Sequence, residues 1–139
     1  MAKETGLGWS TCSVDDTIDG TETARAIIND VTALDFSTPR GVQDISGVDK
    51  SANERLLLLA DFQLTLNGVF NDAATTGSHT VLRTITNTSE PRTVTLAVSA
   101  QTLVNEVLFE SYVITRSATG EQTFTASGNL SSGTVPAWS

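Results

Sequence analysis

The chain has 139 residues, enough for one compact domain with a core of its own and too few for two full ones. Only 17% of the residues are charged, while Ser and Thr make up about a quarter of the chain, so the polar surface is mostly hydroxyl. Sixteen acids against eight bases give a net charge of −8, the wrong sign for neutralising phosphates, and the single cysteine, Cys12, excludes an intramolecular disulfide framework.

Met1 to Gly6 lacks the apolar core of a signal peptide, and no stretch approaches the ~18 apolar residues of a membrane span. The expectation is a chain made and kept in a reducing compartment without a membrane anchor. The sequons at Asn87-Thr88-Ser89 and Asn129-Leu130-Ser131 are then read as chance.

In chain order, Trp9 to Val14 alternates as a short strand with Cys12 as a small core residue. Asp15 to Thr23 reads as an acidic, threonine-rich loop. Ala24 to Phe36 carries Ile28, Val31 and Leu34 at spacings that fit helix or strand, and its β-branched residues favour strand. Arg40 to Lys50 reads as loop. From Arg55 to Asn67 one parity holds Leu56, Leu58, Ala60, Phe62, Leu64 and Leu66, while the other starts apolar (Leu57, Leu59) and turns polar from Asp61. This predicts one long strand, with its first half covered on both faces and its second half on one. Asn71 to Gly77 is loop, and Ser78 to Ile85 predicts a short helix with Val81, Leu82 and Ile85 on one face and Ser78 as N-cap. Arg92 to Ser99 is a strand preceded by Pro91. Thr102 to Arg116 is a long strand with both faces mixed, Ser117 to Gly120 a turn, and Glu121 to Leu130 the return strand of an unusually long hairpin. Residues 131–139 are polar and end in Pro136-Ala137-Trp138-Ser139. The fold class that follows is mainly β, an antiparallel sandwich or barrel-like domain spanning residues 1–139, with one short helix and an acidic, loop-rich part over residues 1–54.

The chemistry is sparse. His79 is the one histidine, and its neighbour Ser78 lies on no Gly-x-Ser-x-Gly elbow, so an enzyme is not expected. Zinc lacks ligands. Asp15, Thr17, Asp19 and Gly20 match the first, third, fifth and sixth positions of a calcium loop, but Ala26 stands where the bidentate Glu is required. There is no Walker motif, and Gly6-Leu7-Gly8 alone does not make a nucleotide site. No cofactor or metal is expected. Residues 1–54 carry ten acids and four bases, and residues 55–139 six acids and four bases. The acids of the second part stand singly along the long strands.

The succession Asp44-Ile45-Ser46-Gly47, Ser51-Ala52-Asn53-Glu54-Arg55-Leu56, the alternating run Asp61 to Phe70, Ser78-His79-Thr80-Val81-Leu82-Arg83, and the hairpin followed by Gly133-Thr134-Val135-Pro136-Ala137-Trp138 resembles the major tail tube proteins of long-tailed bacteriophages, particularly those of actinobacterial hosts. The resemblance covers about residues 40–139. It implies a virion protein, assembled in the host cytoplasm, of which six copies form a ring. Strands from each copy would join into a lumen-lining barrel, and rings would stack into a tube. The implied partners are further copies of the chain, a tape-measure protein in the lumen, and tail terminator and distal tail proteins. Genome DNA would pass through without specific binding, and no membrane is involved. Scattered carboxylates on the inner wall would repel phosphates. On that basis the expected lumen residues are Asp61, Gln63, Thr65, Glu106, Glu110, Glu121 and Thr123. Ring stacking is expected in the loops Asp15 to Thr23 and Arg40 to Lys50, through Asp15, Asp16, Asp19, Glu22, Asp44, Asp49 and Lys50, together with the termini. The alternative is a monomeric β-sandwich binding module on a virion surface or for carbohydrate. Against it, Phe62, Phe124 and Phe36 fall at core positions rather than on a stacking surface; a small hydrolase is weakened by the lone histidine.

Overall fold

The computed structural model describes residues 6–16 and 22–139. A 3-10 turn at Gly6–Gly8 leads into β1 (Trp9–Asp16), followed by β2 (Thr23–Ala26), β3 (Val31–Ser37), β4 (Arg40–Asp44), β5 (Arg55–Ala60) and β6 (Gln63–Val69). The helix α1 (Ser78–Leu82) runs into a second 3-10 turn at Arg83–Thr86, and β7 (Arg92–Val98), β8 (Gln101–Arg116) and β9 (Gln122–Leu130) follow.

Seven strands form one sheet in the order β2-β1-β7-β8-β9-β6-β3, each neighbouring pair antiparallel; β4 and β5 form a separate two-stranded sheet. Period-two alternation puts Cys12, Val14, Val94, Leu96, Leu103, Val107, Phe124, Ala126, Leu64 and Leu66 into one core, none more than 1% exposed. Full burial of each large side chain contributes about 1.5–3 kcal/mol, so this face dominates the stability of the fold. The sheet wraps around that face. Trp9 on β1 meets Phe36 on β3, at the far edge of the strand order, with ring centroids 6.1 Å apart and planes perpendicular. Ile27, Val81 and Leu82 enter the same core. The result is the mainly antiparallel, barrel-like architecture with one short helix that the alternation predicts.

The long hairpin is present as β8 and β9, closed by Ser117 N–H donating to the Glu121 carbonyl at 2.9 Å, with Gly120 at φ +101°, a conformation glycine adopts without strain. The mixed faces of β8 have a local cause. Pairing passes from Phe109 opposite Gly128 to Ser111 opposite Ser127, leaving Glu110 as an extra residue. This bulge flips the parity: Leu103, Asn105 and Val107 point inward before it, Tyr112 and Ile114 share the inner face after it.

Several expectations are corrected. The strand expected over Arg55 to Asn67 is two strands in two different sheets. Asp61 breaks it: its N–H donates to the Pro39 carbonyl at 3.0 Å and its carboxylate accepts Phe62 N–H at 2.8 Å, which turns the chain. Leu56 and Leu58 are therefore exposed, as are Leu57 and Leu59, and the first half is uncovered within this chain. The run Ala24 to Phe36 is split by a turn in which Ile27 and Ile28 carbonyls accept from Asp30 and Val31. Arg40 to Asp44 is strand, not loop, and Asp15 and Asp16 close β1 rather than opening a loop. The helix is shorter than expected, and Gly77 rather than Ser78 is its N-cap. The Ser78 hydroxyl donates to the Val69 carbonyl instead.

Candidate functional site, an apolar arm and a hydroxyl face

Cross-strand partners share a face, so the registers define the outer surface of the seven-stranded sheet. Gln63, Thr65 and Asn67 of β6 stand opposite Asn129, Ser127 and Thr125 of β9. Thr123, Thr125 and Ser127 stand opposite Thr115, Val113 and Ser111 of β8. Glu106 and Val104 face Thr93 and Thr95 of β7, and Thr95 faces Ser13 of β1. The outer face is thus rich in hydroxyls and amides, interrupted by the exposed aliphatic side chains of Val69, Val104, Leu108 and Val113. It is tied across strands by Thr125 Oγ1 donating to Asn67 Oδ1 at 2.8 Å and by the Thr93 hydroxyl bonded to the Glu106 carboxylate. Four residues expected in a lumen, Gln63, Thr65, Glu106 and Thr123, lie together on this face. The other three do not sit in its regular lattice: Glu110 is the bulge residue, Asp61 forms the break before β6, and Glu121 closes the hairpin tip. Hydroxyls of Ser117 and Thr119 bonded to the Glu121 carboxylate hold its pKa below the usual value.

The second feature was not expected from the alternation. β4 and β5 form an arm that pairs with itself and stands apart from the large sheet. Its base is held by the Asp61-to-Pro39 bond and by Arg40 Nε donating to the Leu58 carbonyl at 2.9 Å. Val42, Ile45, Val48, Leu56, Leu57, Leu58 and Leu59 are all exposed on it, Leu59 by 91%. Both faces are apolar, an arrangement that a folded monomer rarely leaves in water. The arm is also electrically balanced: Arg40, Lys50 and Arg55 offset Asp44, Asp49 and Glu54, so the chain's net charge of −8 resides elsewhere. The signal in the sequence was the doubly apolar run Leu56 to Leu59 between charged residues.

The residues expected to stack rings are dispersed. Asp44, Asp49 and Lys50 belong to the arm: Asp44 accepts the Ser46 N–H at 2.9 Å, which lowers its pKa, and Lys50 pairs with Asp49 and Glu54 at 3.8 and 3.6 Å. Asp15 and Glu22 line a small pocket beside Glu90 and Arg92. Asp16, at the floor of the same pocket, is buried and accepts from Arg25 Nε at 3.2 Å. Asp19 lies outside the described residues, as does most of the calcium-like stretch; among the described residues no group of three or more His, Cys, Asp or Glu side chains is placed to hold a metal ion.

His79 rests between Phe70 and Tyr112, its Nδ1 3.0 Å from the Tyr112 hydroxyl, with ring centroids at 4.5 and 5.9 Å. It is a packing residue of α1. Cys12 is fully buried, and that burial pushes its thiol to a pKa of about 11. No helix among the described residues is long and apolar enough to cross a membrane.

No protein-family model and no curated protein matches the chain. Solved structures do. The fold is similar to a chain from the tail of an empty GTA particle with C6 symmetry, at a TM-score of 0.74 and 18% identity, covering 99% of this chain and 98% of that one. It is similar also to a chain from the virion of a native gene transfer agent particle, at a TM-score of 0.72 and 15% identity over 99% of both. These likenesses define the fold class along the whole chain.

Proposed function

We propose that the chain is a structural protein of a phage-like tail, acting by self-association rather than by catalysis. The observation that supports this most is the end-to-end similarity of fold to a chain from a C6-symmetric tail. The arm supports it independently. Covering its seven exposed aliphatic side chains contributes on the order of 10 kcal/mol at about 1.5–3 kcal/mol each for full burial, comparable with the ~4–15 kcal/mol that association costs. Because the arm is charge-balanced, it meets another copy without adding to the repulsion between two chains of net charge −8.

In finer terms, residues 1–139 act as one unit, six copies close into a ring, and rings stack into a siphovirus-type tube that resides in the virion after assembly in the host cytoplasm. The outer hydroxyl face, with Gln63, Thr65, Glu106 and Thr123, forms the lumen wall, and Glu110, Glu121 and Asp61 punctuate it with negative charge. A wall of this kind suits a conduit around a tape-measure protein through which DNA later leaves, since none of the paired residues named on it is a lysine or arginine that would neutralise phosphate. The arm, carrying Asp44, Asp49 and Lys50, makes the contact between copies, with Asp15 and Glu22 on a second surface. Terminator and distal proteins cap such a tube at its ends.

Size-exclusion chromatography and negative-stain imaging across a concentration series test the reading. Six-fold rings or hollow tubes are expected. Persistent monomer at high concentration would overturn it and return the chain to the class of monomeric binding modules. For the lumen, Gln63→Cys and Thr123→Cys in assembled tubes are expected to react with a small maleimide and to resist a long polymer-linked one; equal labelling by both places the hydroxyl face outside.

A further inference from the structure

Residues 131–139 lie along β8 in a place that a strand would occupy. The two-residue turn Ser99-Ala100 makes Val98 and Gln101 the closing pair of the β7–β8 hairpin, so Leu103 and Asn105 turn their main-chain groups to β7, and Thr102, Val104 and Glu106 turn theirs the other way. β9 joins that side of β8 only from Val107 onward. The chain's last residues fill part of what is left. Thr102 N–H donates to the Ser139 carbonyl at 2.8 Å and Ser139 N–H returns the bond at 2.9 Å. Leu103 bridges Trp138, whose ring packs on Phe36 at 5.8 Å. At the other end Ser131 N–H donates to the Glu106 carbonyl at 2.9 Å. Between these points residues 132–135 arch outward, exposed, with Gly133 at φ +73°. The arch leaves a shallow cleft lined by Val104, Asn105, Glu106, Ser132, Thr134 and Val135.

We infer that residues 136–139 exchange between copies: when the chain self-associates, the segment leaves its own β8 and takes the same place, Thr102 to Leu103 with Trp138 on Phe36, on a second copy. The occupant is read from the structure, because the slot already holds this segment and a second copy supplies an identical one. Exchange of an identical element forms the same contacts in trans that are broken in cis, which makes it an inexpensive route to association. The arch is the hinge it requires. At about 3.3–3.6 Å per residue, nine extended residues reach up to roughly 30 Å, enough to cross to an adjoining subunit. Once other contacts have brought copies together, the effective concentration of the neighbour's segment is high. This rests on the self-association proposed above and adds to it a strand that links one copy to the next.

Mixing two single variants separates exchange from its alternatives. Thr102→Cys carries a thiol only in the slot and Ser139→Cys only on the segment, so a disulfide between residues 102 and 139 in the mixture joins different copies; buried Cys12 stays out of the reaction. Under mild oxidation of assembled material, non-reducing electrophoresis with mass identification is expected to show this cross-link several-fold above a collision control pairing Ser139→Cys with Ala118→Cys at the hairpin tip. The double variant Thr102→Cys/Ser139→Cys is expected to close within one chain when dilute, which verifies the slot. Assembled material with no 102–139 cross-link above the control overturns the exchange and leaves self-association standing. Absence of any assembled species by sedimentation, with each variant folded by circular dichroism, overturns self-association and the exchange with it.

Discussion

The carboxylate of Asp30 accepts the backbone N–H of Ser78 at 3.0 Å across 48 positions of sequence. It also accepts from the Asn71 side-chain amide at 3.0 and 3.1 Å, while being only 8% exposed. A residue between two strands thus satisfies a donor at the start of a helix whose own N-cap, Gly77, has no side chain to offer. Asp30→Ala leaves the buried Ser78 N–H and the half-buried Asn71 amide without this acceptor. The expected loss is about 2–3 kcal/mol, read as a lower denaturation midpoint at unchanged slope. Asp30→Asn, which keeps one acceptor oxygen, is expected to lose less.

The same corner constrains Gly68. A Cβ there would lie 2.1 Å from the Asp30 carbonyl oxygen and 2.7 Å from the Phe124 ring, and that carbonyl accepts Val69 N–H at 2.8 Å. Gly68→Ala is expected to destabilise by at least the ~1–3 kcal/mol of ordinary overpacking, since main chain cannot yield as a side chain would. A thermal unfolding temperature within a degree of the parent chain would refute this.

Arg92 ties three elements together. Its guanidinium donates to the Val81 carbonyl at 2.7 Å, to the Asp15 carbonyl at 3.3 Å and to the Thr84 hydroxyl. Burial lowers its pKa, and the charges of Asp16, Asp15 and Glu90 oppose that shift. Arg92→Leu strands the carbonyls and removes the counter-charge, with an expected cost of about 3–5 kcal/mol. Arg92→Lys keeps the charge without the planar fork and should fall between. Chemical denaturation of the three proteins gives the order directly.

Cys12 sets an alkaline limit. Its thiol ionises near 9 when unfolded and near 11 when folded, so between those values the folded chain holds a proton that the unfolded chain has lost. Stability is therefore expected to fall as pH rises from 9 through 11, by about 2–3 kcal/mol from this group. Cys12→Ala should show a shallower decline over the same interval. Parallel curves for the two proteins would refute the assignment. Native protein should also resist thiol reagents until it is unfolded.

On the arm, Leu57→Ser and Leu59→Ser together change exposed positions. Their expected effect on monomer stability is within about 0.5 kcal/mol per site. Assembly is expected to require at least tenfold more protein, measured by light scattering or sedimentation. Assembly at an unchanged threshold would exclude the arm as a contact between copies.

The alternating runs read from sequence correspond to strands wherever one face is buried by the chain itself. Val94, Leu96 and Phe124 were legible for that reason. The break at Asp61 was not, because Leu56, Leu58, Phe62, Leu64 and Leu66 keep one parity through it: alternation records which way a side chain points, not which sheet receives it. Nor does a single sequence say that Leu56 to Leu59 go uncovered, since apolarity alone does not identify the molecule that supplies the cover. The helix cap was hidden because Asp30 is distant in sequence and Ser78 offers a nearer oxygen that is used elsewhere. The shared face of Gln63, Thr65, Glu106 and Thr123 was reachable from parity, whereas the place of Glu110 outside the regular register was not, because a bulge leaves no mark in residue type.

The threonine and serine array on the outer face of the seven-stranded sheet has a property that carboxylate or lysine surfaces lack. Hydroxyls do not titrate in the range proteins experience, and they hold no cloud of counterions. The wetting contributed by those hydroxyls is therefore nearly the same in acid and in base, in dilute buffer and in strong salt, and the carboxylates of Glu106 and Asp35 give the face its charge. The hydroxyl part of the face's character is fixed by covalent structure and is the same in every medium the chain meets.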